Sequence, residues 1–257
     1  MVKLYVHRLC LSSYTLYKEL KARGTLDKVK FVDTSNSLKA VKKGVFSVPA
    51  LETQGMLVAV DPIEVELVEA AALNEDLSRF APKTVEEAVE AFFKSLYASG
   101  YLSCVSLIHG LKPILKDLST VRLLAKLRLG TTLKTSEVME GILKKMEASE
   151  DEVRSKLAYI CFKNYVREHI WLNPKASYED IRNTLNESNV TSWLLAKTSV
   201  GRTLIPNNLN TVKKAANELI KLGNNKLETT TAKTKEEVET LSKDIEFQKY
   251  IKTKRSS

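Results

Sequence analysis

Hydrophobic positions in the first 75 residues change repeatedly between the two-residue period of strands and the 3.6-residue period of helices. Short runs rich in β-branched and aromatic residues predict strands at 3–7, 29–34, 49–53 and 55–60. Helical spacing predicts helices at 12–23 and 62–73, and a short polar stretch predicts another at 36–43. The predicted order is β-α-β-α-β-β-α, with a tight hairpin at Gln54-Gly55.

Two local patterns fix helix ends in this region. Gly24 follows the first helical stretch and is a typical helix stop. Asp61 is a favoured N-cap residue and Pro62 a favoured first helical residue, so the last helix is expected to begin there.

Beyond residue 80 the strand pattern fades and signals for helix starts dominate. Three segments match the capping box and a fourth is its aspartate variant: Thr84–Glu87, Ser149–Glu152, Thr234–Glu237 and Ser177–Asp180. Helices are predicted near 84–99, 101–111, 113–129, 136–148, 150–171, 178–187, 190–198, 211–222 and 235–250. The expected fold class is therefore α/β followed by a larger all-α part.

Changes in composition predict the domain boundaries. The stretch FAPKT at 80–84 has the composition of a linker, and 223–234 is polar enough for a flexible connector. We therefore expect an N-terminal domain at 1–79 and a helical domain at 84–222. The remainder, 223–257, is expected to hold the connector and a C-terminal helix whose end frays.

The overall composition is that of a globular protein, with 257 residues, 44% of them hydrophobic and 28% charged. We expect no membrane span, because no run approaches the roughly 18–20 apolar residues that one needs. The N-terminus lacks the pattern of a signal peptide. Three widely spaced cysteines without a CxxC pair argue against a disulfide framework and a zinc site, and we expect a cytoplasmic protein.

The net charge of +9 is unevenly distributed. Residues 1–80 hold 11 Lys and Arg against 10 Asp and Glu, so the basic excess belongs to the rest of the chain. The stretch 111–134 is expected to form an amphipathic helix with a cationic face, and 177–202 has a helix-turn-helix-like outline. These features suit nucleic acid or another acidic partner, and a well-solvated surface is the alternative.

Cys10 is the candidate for chemistry, because it lies between the first strand and the first helix. The N-terminus of a helix carries unpaired N–H groups and partial positive charge, which favour a thiolate over a thiol. Arg8 and His7 are expected to add to this effect. Cysteines in such surroundings have pKa values of about 3.5–7.5. The alternative is a half-buried cysteine without chemistry.

Residues 1–75 resemble the thioredoxin-like superfamily, in its glutaredoxin and glutathione-transferase branch. The resemblance rests on Cys10 with Leu20 and Gly24 at the offsets of glutaredoxins, on SVPAL at 47–51, and on Asp61. It implies that Pro49 is cis and that Val48 offers its backbone to an extended thiol ligand beside Cys10. It also implies a thioredoxin-like domain followed by a helical domain, which is the transferase layout at a coarse level.

The segment Cys10-Leu11-Ser12-Ser13 departs from the dithiol glutaredoxins, because a serine stands where they have the second cysteine. This CxxS pattern excludes local dithiol cycling and leaves one-thiol chemistry. Cys10 and Ser13 are the candidate catalytic residues. The candidates for binding a substrate or thiol are Arg8, Ser12, Tyr14, Val48, Pro49 and Asp61. Glutathione or another small thiol is the cofactor that the resemblance implies.

Three functions remain open from the sequence. The first is a thiol-disulfide oxidoreductase or a transferase that acts on a small thiol or a protein thiol through Cys10. The second is a non-catalytic scaffold in which the thioredoxin-like domain serves interaction or homodimerisation. The third is nucleic-acid binding by the basic helical region. Cys104, Cys161, His109 and His169 have no partner at metal-ligand spacing and are assigned to helices and core.

Overall fold

The computed structural model describes residues 2–35, 40, 42–199, 204–206 and 208–253. Within this part of the chain four strands form one sheet: β1 is Val2–Val6, β2 is Val29–Asp33, β3 is Ala50–Thr53 and β4 is Met56–Val60. Their order across the sheet is β2-β1-β3-β4. β1 is parallel to β2 and antiparallel to β3, and β3 and β4 pair as an antiparallel hairpin.

Alternation along β1 explains how the sheet is anchored. Val2, Leu4 and Val6 are buried in one apolar core, while Lys3 and Tyr5 point to the other face. There, Lys3 Nζ and Tyr5 Oη donate to the buried Glu52 carboxylate at 2.5 and 2.7 Å. One face of β1 is therefore packed in the apolar core, and the polar groups of the other face are hydrogen-bonded.

The hairpin between β3 and β4 forms at the predicted dipeptide. Gln54 and Gly55 have positive φ angles of 50° and 82°. Two-residue hairpins with a type I′ turn need positive φ at both positions, which a glycine adopts without a steric cost. The prediction of a tight turn at this point is confirmed.

The α-helices follow in chain order. They are α1 Leu11–Ala22, α2 Val65–Ala72, α3 Val85–Ala98, α4 Gly100–His109, α5 Lys112–Lys116, α6 Leu118–Leu124, α7 Thr135–Ala148, α8 Glu150–Leu172, α9 Tyr178–Thr184, α10 Glu187–Thr198, α11 Leu209–Lys243 and α12 Ile245–Thr253. Short 3₁₀ helices occupy Leu26–Lys28, Ser78–Phe80 and Leu127–Leu129. The predicted class, a small α/β part with a mostly helical remainder, is confirmed at this coarse level. The helix predicted at 36–43 lies largely outside the described residues.

The described chain packs as two compact units that do not follow the predicted boundaries. The first unit comprises Met1–Ser99, Asp117–Lys145 and Thr240–Ser257, and the second comprises Gly100–Lys116 and Met146–Glu239. The predicted domain at 1–79 is thus one segment of a larger unit. The first unit is assembled from three separate pieces of the chain.

The core of the first unit includes residues from near the C-terminus. Leu241, Phe247 and Ile251 are buried in the same apolar cluster as β1 and α1. The Phe247 ring centroid lies 5.1 Å from that of Tyr14 and 5.1 Å from that of Tyr17. The final helix, α12, is therefore an integral part of this core, whereas the sequence predicted a C-terminal helix at 235–250 without assigning it to a core. Residues 254–257, part of the end that was expected to fray, lie outside the described residues.

Three further predictions about helices are wrong in detail, each for a local reason. The segment 113–129 is not one amphipathic helix: Asp117 caps a new helix by accepting a hydrogen bond from Ser119 N, and Lys126 has a positive φ of 55°. The segment 223–234 lies inside α11 rather than in a flexible connector. The last helix of the α/β region begins at Val65 and has Glu64, not Asp61, as its N-cap.

Helix α11 continues through 223–234 because its buried face uses threonine. Leu227, Thr230, Thr231, Thr234 and Val238 are all buried and recur at helical spacing. Counting only apolar residues hides this stripe, so the composition resembled a connector.

Capping signals were mixed in their outcome. Ser177 and Asp180 form the reciprocal capping box, and Thr84 accepts a hydrogen bond from Glu87 N. Ser149 precedes α8 without a side-chain cap, and Thr234 lies within α11.

In the described residues no single helix has the length and apolarity to cross a membrane, while the bent pair Val85–Ala98 and Gly100–His109 passes on length and composition alone.

Candidate functional site

Cys10 lies at the junction that the sequence indicated, between β1 and α1. It is the N-cap residue of α1, with extended backbone angles of φ −102° and ψ 119°. Its carbonyl oxygen accepts the first helical hydrogen bond, from Tyr14 N at 3.0 Å, while its side chain makes no cap bond. The thiol is half-buried and lies at the end of the helix where the N–H groups are unpaired by the helix itself.

The thiol contacts the loop that precedes β3. Cys10 Sγ donates to the carbonyl oxygen of Val48 at 3.5 Å. The Val48-Pro49 peptide bond is cis, as the resemblance implies. Pro49 is buried, and its carbonyl oxygen accepts from Asp61 N at 2.9 Å. The structure thus brings together Cys10, Val48, Pro49 and the start of the Asp61 loop.

Ser12 and Asp61 form the polar side of this site. Ser12 Oγ donates to Asp61 Oδ2 at 3.2 Å, linking the first turn of α1 to the loop after β4. The Asp61-Pro62 bond is also cis. Asp61 therefore holds a carboxylate near the helix end, even though it does not cap α2.

An open groove continues from this pair along α1. Its volume is about 520 Å³, and Ser12, Glu19, Asp61, Glu64 and Glu66 contribute most of its charged and polar lining. Arg23, also in the lining, pairs with Glu66. The groove is acidic in balance and would favour a ligand that carries a positive charge.

Ser13 is placed differently from what a catalytic role would need. Its side chain is fully buried, and its Oγ accepts from His7 N at 3.3 Å. The hydroxyl therefore stabilises the turn between β1 and α1. It occupies the sequence position of a resolving cysteine without contributing a second thiol.

The loop before Cys10 is built around His7. Cys10 N donates to His7 O at 3.0 Å, and Leu9 N donates to His7 Nδ1 at 3.2 Å. Burial is the main cause that lowers the pKa of His7, with Arg8 adding to the effect and Asp33 opposing it. The imidazole is neutral at pH 7, so the expected cationic help from His7 is absent.

The backbone of Arg8 and the side chain of Tyr14 contact the C-terminal segment. Gln248 Nε2 donates to Arg8 O at 3.1 Å, and Tyr14 Oη donates to Asp244 Oδ2 at 2.9 Å. Burial, and then the Asp244 carboxylate, raise the pKa of Tyr14. The Tyr14 hydroxyl is therefore engaged away from the Cys10–Val48 contact.

Sequence reasoning missed Asp244 and Gln248, which lie more than 230 positions after Cys10. The available signal was the spacing of Phe247, Tyr250 and Ile251, which gives the last helix an apolar face that must be buried somewhere. Nothing in the local pattern says which surface receives it.

The two basic regions use part of their positive charge in contacts within the chain. Helix α10, the second helix of the helix-turn-helix-like outline, places Ser188, Asn189 and Ser192 on its exposed side. Its only lysine, Lys197, pairs with Glu168 on α8. In the other region, Lys126 pairs with Glu64 and Arg128 donates to the carbonyl oxygens of Leu57 and Ser119.

Among the described residues no group of three or more His, Cys, Asp and Glu side chains is arranged to hold a metal ion. Comparison with known proteins finds no match to this chain, whether with family models, with curated proteins or with solved structures.

Proposed function

We propose that the first unit contains a thioredoxin-like domain that uses Cys10 as a single nucleophilic thiol, in exchange or transfer reactions with a small thiol. The observation that carries the proposal is the contact between Cys10 Sγ and Val48 O at the N-terminus of α1. It places the only half-buried cysteine against the loop that the resemblance assigns to ligand pairing. The order of strands and helices around it supports the same assignment.

The Val48 carbonyl links ionisation to ligand binding. In the thiol form, the proton of Cys10 lies in the hydrogen bond to Val48 O. When the thiol loses this proton, the bond is lost, and the carbonyl oxygen becomes able to accept an N–H of an extended ligand. The helix N–H groups meanwhile stabilise the negative sulfur. Nucleophile formation and backbone pairing would therefore occur together.

The reaction then follows thiol-disulfide exchange. The Cys10 thiolate attacks one sulfur of a disulfide RSSR, forms the mixed disulfide Cys10–S–SR and releases RS⁻. A second thiolate attacks the sulfur of the bound R group and restores the Cys10 thiolate. Ser13 cannot perform this second step, because it has no thiol, and Cys104 and Cys161 are fully buried. The resolving thiol must come from outside the chain.

Alkylation of the native protein tests the proposal. Cys10 should react with iodoacetamide at pH 6 faster than cysteine in an unstructured peptide, because the helix end raises the thiolate fraction. One equivalent should be incorporated, and Cys10→Ser should abolish it. A disulfide such as cystamine should give one mixed disulfide at the same residue, located by peptide mass mapping.

A Ser13 variant supplies the control. Ser13→Ala removes the hydroxyl that braces the turn and leaves the thiol, so labelling should continue at Cys10. If native Cys10 reacts no faster than the peptide and forms no mixed disulfide, the domain is a scaffold without thiol chemistry.

A further inference from the structure

The other two cysteines lie on two helices of the second unit. Cys104 on α4 and Cys161 on α8 each have 0% of their surface exposed, and both are unbonded thiols. The sequence suggested only that they belong to the core. Because these two helices pack directly against each other, the two thiols can be close neighbours.

The register of α4 against α8 follows from contacts at both ends. A Cβ atom added to Gly100 would lie 2.5 Å from Asn164 Oδ1, so the backbone of α4 approaches α8 as closely as a glycine allows. Further along, Arg154 Nη1 donates to Leu107 O at 3.3 Å. Later residues of α4 thus meet earlier residues of α8, and the helices are antiparallel.

This register puts the two cysteines at nearly the same level. Cys104 lies four residues after Gly100, and Cys161 lies three residues before Asn164. At about 1.5 Å rise per residue, the two positions differ by roughly 1.5 Å along the helix pair. Burial, and then a hydrogen bond with the Cys104 thiol, raise the pKa of Cys161 well above its ordinary value. The side chains therefore face each other.

We propose that Cys104 and Cys161 form a reversible disulfide that cross-links α4 and α8. The bond is independent of Cys10 and its chemistry. It would join two helices that are 57 residues apart at these positions and stabilise the second unit under oxidising conditions.

The oxidant required is a small-molecule disulfide, RSSR. One cysteine, as the thiolate, attacks RSSR, forms a mixed disulfide and releases RS⁻. The other cysteine, also as the thiolate, attacks the protein sulfur of that mixed disulfide, closes the Cys104–Cys161 bond and releases the second RS⁻. The protons of the two protein thiols and the two electrons they give up appear in two molecules of RSH. Because both thiols are buried, the exchange requires local opening and is slow.

The test uses the full chain with Cys10→Ser, so that Cys104 and Cys161 are its only thiols. The folded protein is incubated with oxidised glutathione below its unfolding midpoint and then unfolded in iodoacetamide. The expected result is that the two thiols fall to none and that a non-reduced digest contains a Cys104–Cys161 peptide. The oxidised protein should unfold at a higher temperature than the same protein after reduction.

Single variants give the controls. Cys104→Ala and Cys161→Ala, each added to Cys10→Ser, should retain one thiol that accepts glutathione only as a mixed disulfide. If Cys10→Ser does not fold, the wild-type chain gives the same peptide map. The proposal is overturned if both thiols stay reduced, if each carries glutathione without a cross-link, or if the cross-link appears only after unfolding.

Discussion

At the scale of single residues, the Cys10 site is held by short-range hydrogen bonds from several segments. Val48 O accepts a hydrogen bond from the thiol, and Asp61 Oδ2 accepts one from the Ser12 hydroxyl in the first turn of the same helix. The end of α1 and the Asp61 carboxylate act oppositely on a charge at Cys10. The helix end favours a negative sulfur, while the Asp61 carboxylate disfavours a second negative charge beside it.

Asp61→Asn should separate these effects. The substitution keeps the shape and removes the charge, so alkylation of Cys10 by neutral iodoacetamide at pH 6 should become roughly twofold faster, for a screened repulsion of about 0.5 kcal/mol. Mixed-disulfide formation with cystamine, which carries positive charges, should fall instead. Asp27→Asn, an exposed site on the 3₁₀ helix after α1, is the matched control. Equal changes with both reagents would contradict an electrostatic role for Asp61.

At the scale of elements, α12 is held in the first unit by its cap as well as by its apolar face. Asp244 Oδ1 accepts from Phe247 N at 2.9 Å, which caps the helix, and Asp244 Oδ2 accepts from the Tyr14 hydroxyl. One carboxylate thus serves as the N-cap of α12 and as its link to α1.

The stability contributed by this carboxylate should depend on pH. The Phe247 amide is the main cause that lowers the pKa of Asp244, with the Tyr14 hydroxyl and Lys18 assisting and burial opposing. Because the folded-state pKa lies below the unfolded value of about 3.9, the ionised carboxylate stabilises the fold at pH values above about 3.9. This stabilisation is lost as the pH falls through the folded-state pKa. Between about pH 5 and pH 2 the wild type should therefore lose more free energy of unfolding than Asp244→Asn. Urea titrations measure this, and a difference between the two proteins that does not change with pH would refute it.

The elements also show what can be predicted from a single sequence. The strands, α1 and the position of Cys10 were predictable, because apolar spacing and a glycine stop are local signals. The break at Asp117 and the late start of α2 were not, because a capping residue can act only where packing allows it. The threonine-lined face of α11 was missed for a different reason, since threonine counts as polar in sequence and yet is buried here.

At the scale of the molecule, the described chain forms two units, and their segments alternate along the sequence. Sequence reasoning assumed that each domain is one continuous stretch, and it therefore predicted a C-terminal helix at 235–250 outside the N-terminal domain. The pairing of Phe247 with Tyr14 and Tyr17 is a contact across more than 200 residues, which no periodicity within a window can identify. The same limit kept Asp244 and Gln248 out of the predicted site.

Deletion of residues 240–257 tests the composition of the first unit. Losing Phe247 and Ile251 from the core should cost at least about 3–5 kcal/mol, the usual range for removing one large buried aromatic side chain. The truncated protein should unfold at lower urea and bind a hydrophobic dye. A synthetic peptide of residues 240–253 should reverse both effects, whereas the same peptide with Phe247→Ala should not. An unchanged unfolding midpoint after deletion would contradict the assignment of α12 to the core of the first unit.

The position of α12 in the sequence has a consequence for synthesis on the ribosome. The sheet and α1 emerge early, but the helix that covers Tyr17 and Phe31 begins at Ile245, more than 200 residues after Phe31. At typical rates of about 5–20 residues per second, the aromatic surface waits on the order of 10–40 seconds for its cover. A nascent chain that stops before α12 would keep this surface exposed, so synthesis of α12 and closure of the first core are coupled events.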